Sequence, residues 1–156
     1  MKKGFTVVEV LVALVILTVG AGGAFALLSR TISFTSIANG RLAATHLAQE
    51  GIEIVRNIRD TNWLQGEALN EGLADGSWEA DYLTTELVDS YDGDPLKLSG
   101  GLYQYGDGED TFFQRNITIE NITDGISVDV TVIWTAKGQT NEVASSTIIY
   151  NWLPER

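Results

Sequence analysis

The sequence predicts an α+β fold: a long N-terminal helix, apolar in its first half and amphipathic in its second, packed on a C-terminal antiparallel β-sheet. Three observations carry that expectation. From Phe5 to Leu28 the one ionisable side chain is Glu9. From Arg30 to Asp60 there is no proline, and apolar or small residues recur at near-helical spacing. From Thr111 to Trp152 the pattern changes to that of a β-meander, alternating over Thr111–Ile122 and more strictly over Ile126–Thr135, broken by turn signals.

The first element is an apolar helix over Phe5–Leu28. At 1.5 Å per residue it reaches about 36 Å, enough to cross a bilayer core of roughly 30 Å. Lys2 and Lys3 precede it, which places the N-terminus on the cytoplasmic side and everything after Arg30 on the other. Gly20-Ala21-Gly22-Gly23 puts three glycines into the run. Each costs about 0.8–1.0 kcal/mol against alanine in a helix interior. They fit either close helix packing or a stretch that unwinds when neighbours repack. The helix then continues, with Ile37, Ala44, Ala48, Ile52, Val55 and Ile58 forming a stripe and Gln49, Glu50, Glu53 and Arg56 falling mostly to the other side. That stripe needs a partner, and a small sheet supplies one.

Residues 61–110 read as irregular, rich in glycine and acidic residues. Trp63, Trp78, Tyr82, Leu83 and Leu87 are available to pin this connection to a core, with short strands near Leu96–Leu98 and Leu102–Tyr105. The end is a β-meander. In Thr111–Ile122, Phe113, Ile117 and Ile119 share a face. Thr123-Asp124-Gly125 is a turn, Asp-Gly being a favoured hairpin pair. In Ile126–Thr135, Ile126, Val128, Val130, Val132 and Trp134 share a face. Ala136-Lys137-Gly138-Gln139 is a second turn, and Thr140–Trp152 the third strand, with Trp134 and Trp152 in the sheet core.

Charge and composition narrow the function classes. The chain of 156 residues carries a net charge of −11 and no cysteine, so disulfides and thiolate metal sites are excluded. Residues 1–60 are slightly basic, and the remainder holds 17 acidic side chains against four basic ones. No nucleic-acid partner is indicated, because that needs a basic face. There is no nucleophile motif, phosphate-cradling glycine loop or strong metal-ligand cluster, so no catalytic residues are assigned and no enzyme is expected. His46 stands alone on the helix. Ser145-Ser146-Thr147 has no base beside it in sequence.

Glu9 is the residue that needs explaining. A carboxylate inside a membrane helix costs about 2.5–3.5 kcal/mol on insertion scales and is a functional hypothesis by default. The plainer account is that it lies one turn into the helix, near the interface, where the helix dipole favours an acid. That account does not explain Gly4-Phe5 one turn upstream. A chain cut after Gly4 would begin at Phe5, with a cationic amino group of reference pKa about 7.7–8.0 one helical turn from Glu9. Among packed apolar helices an unpaired terminal charge is costly. Requiring each Glu9 to meet an amine, its own or a neighbour's, then sets axial register between subunits.

Lys3-Gly4-Phe5-Thr6-Val7-Val8-Glu9, followed by Val10-Leu11-Val12-Ala13-Leu14, resembles the prepilin motif of type IV pilins and type II secretion pseudopilins. The resemblance implies leader cleavage between Gly4 and Phe5 by prepilin peptidase, N-methylation of Phe5, and subunit assembly through Glu9. It implies a pilin-like fold organised as leader 1–4, transmembrane and assembly helix 5–28, amphipathic continuation 29–60, loop-rich αβ connection 61–110 and β-meander 111–156. Many pilins carry a proline within the apolar segment, and many major pilins a C-terminal disulfide. Here the first proline is Pro95 and there is no cysteine, which favours a minor subunit. The implied partners are other pilin subunits in a homo- or hetero-polymer, the peptidase and the assembly platform. The implied location is the inner membrane, single-pass with the C-terminal domain outside the cytoplasm, then an extracellular or periplasmic filament.

Alternatives stand beside this reading. A secretory signal peptide would use Ala24-Phe25-Ala26 as its cleavage site, although the charge in the run and the continuing helix argue against it. A membrane-anchored or filament-tip binding or adhesion module would use the 61–110 loops. In those loops Asp89, Asp92 and Asp94 are weak calcium candidates, oxygen-rich but without the EF-hand spacing; no cofactor is otherwise expected. Asn116-Ile117-Thr118 and Asn121-Ile122-Thr123 are glycosylation sequons in form, expected from Asn and Thr alternating on a solvated strand face.

Overall fold

A computed structural model describes residues 4–88 and 90–151. Lys2, Lys3, Asp89 and Trp152, to which the sequence reading gave roles, lie outside the described residues. The chain folds as one long helix, α1 (Val7–Gln65), and six strands: β1 (Gly76–Trp78), β2 (Pro95–Ser99), β3 (Leu102–Gln104), β4 (Glu109–Ile122), β5 (Gly125–Ala136) and β6 (Gln139–Tyr150). The expected α+β architecture is the observed one. Contacts divide it into two compact units, residues 1–39 and 40–156.

The first unit is helical from Val7 on, and its large apolar side chains, among them Val7, Leu14, Leu17, Phe25 and Phe34, are exposed. Its apolar window is long enough to cross a membrane, with none of it buried inside the fold. Thr18 is the polar intrusion, and its Oγ1 donates to the carbonyl of Leu14 at 2.7 Å, so the hydroxyl needs no outside partner. The glycine stretch at 20–23 is regular helix.

The second unit is built on an antiparallel sheet in the order β3-β2-β4-β5-β6, with β1 pairing the distal part of β4. The inward face carries Phe113, Ile117 and Ile119 from β4 and Ile126, Val128, Val130, Val132 and Trp134 from β5, all buried. Ala44, Leu47, Ala48, Ile52, Val55 and Ile58 of α1 complete this core. The predicted stripe and both predicted strand faces are therefore the buried ones. Two glycines let the helix lie this close. A Cβ on Gly51 would stand 2.8 Å from Val130 Cγ1, and one on Gly40 would stand 2.8 Å from Trp134 Nε1. The helix forgoes some propensity at these two positions in return for close contact with the sheet.

The hairpin turns divide their chemistry differently from expectation. Ile122 pairs with Gly125, so Thr123-Asp124 form the β4–β5 loop and Gly125 already belongs to the strand. Gly125 is there for room: a Cβ would lie 2.3 Å from the Ile149 carbonyl oxygen. The left-handed pair sits at the second hairpin, where Lys137 (φ 52°) and Gly138 (φ 76°) bridge Ala136 and Gln139.

Candidate functional site

Two places in the chain carry candidate chemistry, the start of α1 and the loop segment after it. At the first, Thr6 precedes the helix and its hydroxyl oxygen accepts the backbone N–H of Glu9 at 3.3 Å. Thr6 is the N-cap and Glu9 the third helical residue, the spacing of a capping box. This arrangement explains why an acid is tolerated at this position, since it lies in the first turn at the positive end of the helix dipole. The capping geometry still leaves the carboxylate exposed, on a helix side shared with Phe5, Val10, Ala13, Leu14 and Leu17.

At the second, the stretch Glu79-Ala80-Asp81 is buried and ties three distant segments together. Glu79 Oε1 accepts the backbone N–H groups of Asp92, Gly93 and Asp94 at 3.4, 3.0 and 3.0 Å. Asp81 Oδ1 accepts the N–H of Leu83 and Oδ2 that of Tyr105, both at 2.9 Å. The Ala80 carbonyl accepts from Arg115 Nη2. Arg115 is fully buried on β4, and its Nη1 also donates to the Leu47 carbonyl of α1 at 3.0 Å. One guanidinium thus joins helix, sheet and loop.

Of the calcium candidates, Asp92 and Asp94 come together, and the third carboxylate of the group is Glu79. These three each offer an oxygen within 4.8 Å of the others. They line a cavity of about 480 Å³ with Leu83, Thr84 and Val88. Burial pushes the Glu79 pKa up, and the neighbouring Asp92 charge adds to this, although the three backbone donors oppose it. A raised folded-state pKa means that the native state holds the proton more tightly than the unfolded chain does. The contribution of Glu79 to stability is therefore greatest at acid pH and falls as pH rises through its folded pKa. Glu79→Gln should remove this dependence. Relative to the variant, the wild type is expected to gain stability between neutral pH and about pH 4.5, read by denaturant titration at each pH. Parallel pH profiles for the two proteins would contradict the assignment.

The remaining candidates resolve as structure. The Asn121 amide nitrogen donates to the Leu73 carbonyl and to Asp75 Oδ1, and so fastens the loop onto β4. Asn116 is half-buried on the sheet face away from the helix, and His46 is exposed on α1. Trp78 is half-buried and Leu87 buried, as the pinning of the connection requires, whereas Tyr82 and Leu83 remain exposed. The sequence reading missed Glu79, Asp81 and Arg115. Arg115 alone had a visible signal: it shares the strand parity of Phe113 and Ile117.

No curated protein and no solved structure matches the chain. Residues 1–25 match the family described as the prokaryotic N-terminal methylation motif. That motif, which here takes in the first turns of the long apolar helix, is the signature of type IV pilin and pseudopilin prepilin-like proteins.

Proposed function

We infer that the chain is a structural subunit, a minor pilin or pseudopilin of a type IV pilus or type II secretion pseudopilus. In this reading prepilin peptidase cuts between Gly4 and Phe5, and Phe5 is N-methylated. The helix first holds the subunit in the inner membrane, with the C-terminal unit outside the cytoplasm. The same apolar surface then exchanges lipid for neighbouring helices in a filament, with Glu9 paired to a terminal amine. The carrying observation is a lone carboxylate in the exposed apolar stretch of α1 up to Leu28, one turn after Gly4-Phe5.

The mass of the mature N-terminus tests the proposal. A chain beginning at methylated Phe5 is expected. One beginning near Leu27, or at an intact Met1, would overturn it. A second reading, an anchored or tip-located binding module, draws support from the cavity beside Glu79, Asp92 and Asp94, whose rim carries the exposed apolar residues Leu83 and Val88.

A further inference from the structure

The chain enters α1 through Gly4-Phe5-Thr6-Val7-Val8-Glu9-Val10. Gly4, Phe5 and Thr6 are non-helical and exposed, and the helix begins at Val7. The Thr6 carbonyl accepts the Val10 N–H at 3.2 Å, and the Thr6 hydroxyl oxygen accepts the Glu9 N–H at 3.3 Å. Thr6 therefore caps the helix with its main chain and its side chain together. Phe5 and Val10 hold the positions before the cap and four after it, those of a hydrophobic staple, and both line one groove on the helix. A staple fixes the angle at which the chain enters the helix.

Upstream of Thr6 the sequence offers one other place for the helix to start. Glycine is an acceptable cap, so Gly4 could serve, whereas Lys2 and Lys3 would put positive charge at the positive end of the dipole. A cap at Gly4 would make Phe5 the first helical residue. The Gly4 carbonyl would then accept the Val8 N–H. That carbonyl is the reacting group in the leader cleavage proposed above. Hydrolysis breaks the bond between the Gly4 carbonyl carbon and the Phe5 nitrogen; the hydroxyl of water goes to the carbon and the proton to the new amine. A bond drawn into a helix is cut only in the fraction of molecules whose first turn has opened.

We propose that Thr6 is a positioning residue for leader cleavage: by capping α1 two residues after Gly4, it keeps the Gly4–Phe5 bond out of the helix and open to the peptidase. The inference rests on the cleavage reading and adds the residue that presents the bond. Thr6 acts on its own backbone and does not touch the reacting atoms.

The test uses the full chain with its leader, in the membrane. Conversion of precursor to the form beginning at Phe5 is followed by mass at early times, and the precursor level is measured alongside. Capping and side-chain shape make opposite predictions. Serine and asparagine cap a helix at least as well as threonine; valine matches threonine in shape and alanine is the best helix former, but neither caps. Thr6→Ser and Thr6→Asn are expected to be cleaved within about twofold of the wild-type rate. Thr6→Val and Thr6→Ala are expected to be cleaved about three- to tenfold more slowly, the shift in helix start that a lost cap supplies. Fast cleavage of the valine variant beside slow cleavage of the asparagine variant would mean that the peptidase reads shape, and would overturn the proposal. Equal rates for all four variants and wild type would overturn it too, with the cleavage reading intact. A wild-type chain never cut after Gly4 would overturn both.

Discussion

Glu9→Gln is expected to insert into the membrane and be processed normally, and to enter filaments at least about tenfold less efficiently than wild type. The choice of glutamine separates two roles that the N-terminal geometry combines. Thr6 caps the helix through the backbone N–H of Glu9, and glutamine serves a capping box as well as glutamate does. Helix initiation, and with it insertion, should survive the substitution. The charge does not survive. If a terminal amine is buried among apolar helices, leaving it without its carboxylate costs about 3–5 kcal/mol, more than tenfold in an assembly equilibrium. Glu9→Ala should fail equally, although that variant alone cannot distinguish a lost cap from a lost charge. The measurement is the fraction of mature subunit recovered with filaments against that left in the membrane. Normal recovery of Glu9→Gln would reduce Glu9 to a capping residue and remove the pairing hypothesis.

The parts of the fold legible in the sequence are those fixed by short-range periodicity. The stripe from Ala44 to Ile58 and the alternation in β4 and β5 each bury a face that neighbours three, four or two residues away define, and those faces are buried in the structure. The second turn was legible because left-handed backbone at Lys137-Gly138 needs special residues. What escaped depends on contacts far along the chain. Gly51 reads as a helix weakness until Val130 is placed against it. Glu79 and Asp81 read as two more acids in an acidic loop, because their partners are backbone N–H groups up to 24 residues away. The loop candidates Asp92 and Asp94 were found, but the buried carboxylate that organises them was not, since nothing local distinguishes Glu79 from Glu67 or Glu71.

Arg115→Ala is expected to destabilise the C-terminal unit by about 3–5 kcal/mol, a large part of the stability of a domain of this size. The side chain is 0 % exposed, and it joins α1 through the Leu47 carbonyl and the loop through the Ala80 carbonyl. Truncation leaves a cavity where helix, sheet and loop meet and takes a donor from each carbonyl. The charge itself adds little. Its acidic neighbour, Glu50 at 3.6 Å, is partly solvated, and Arg115 Nε has no hydrogen-bond partner. A buried ion with incomplete compensation recovers only part of its desolvation cost. Arg115→Met, which keeps most of the volume without the charge, should therefore lie within about 1.5 kcal/mol of wild type. Arg115→Lys should be worse than methionine, because a single ammonium cannot span the two carbonyls that the planar guanidinium reaches, and it retains the charge to be buried. Denaturant titration of the full chain in detergent, followed by tryptophan fluorescence, orders the variants. If lysine proved better than methionine, the charge would be the stabilising element. If alanine were tolerated, the loop would be held by Glu79 and Asp81 alone. The order methionine, then lysine, then alanine would identify Arg115 as a space-filling clamp whose geometry matters more than its charge.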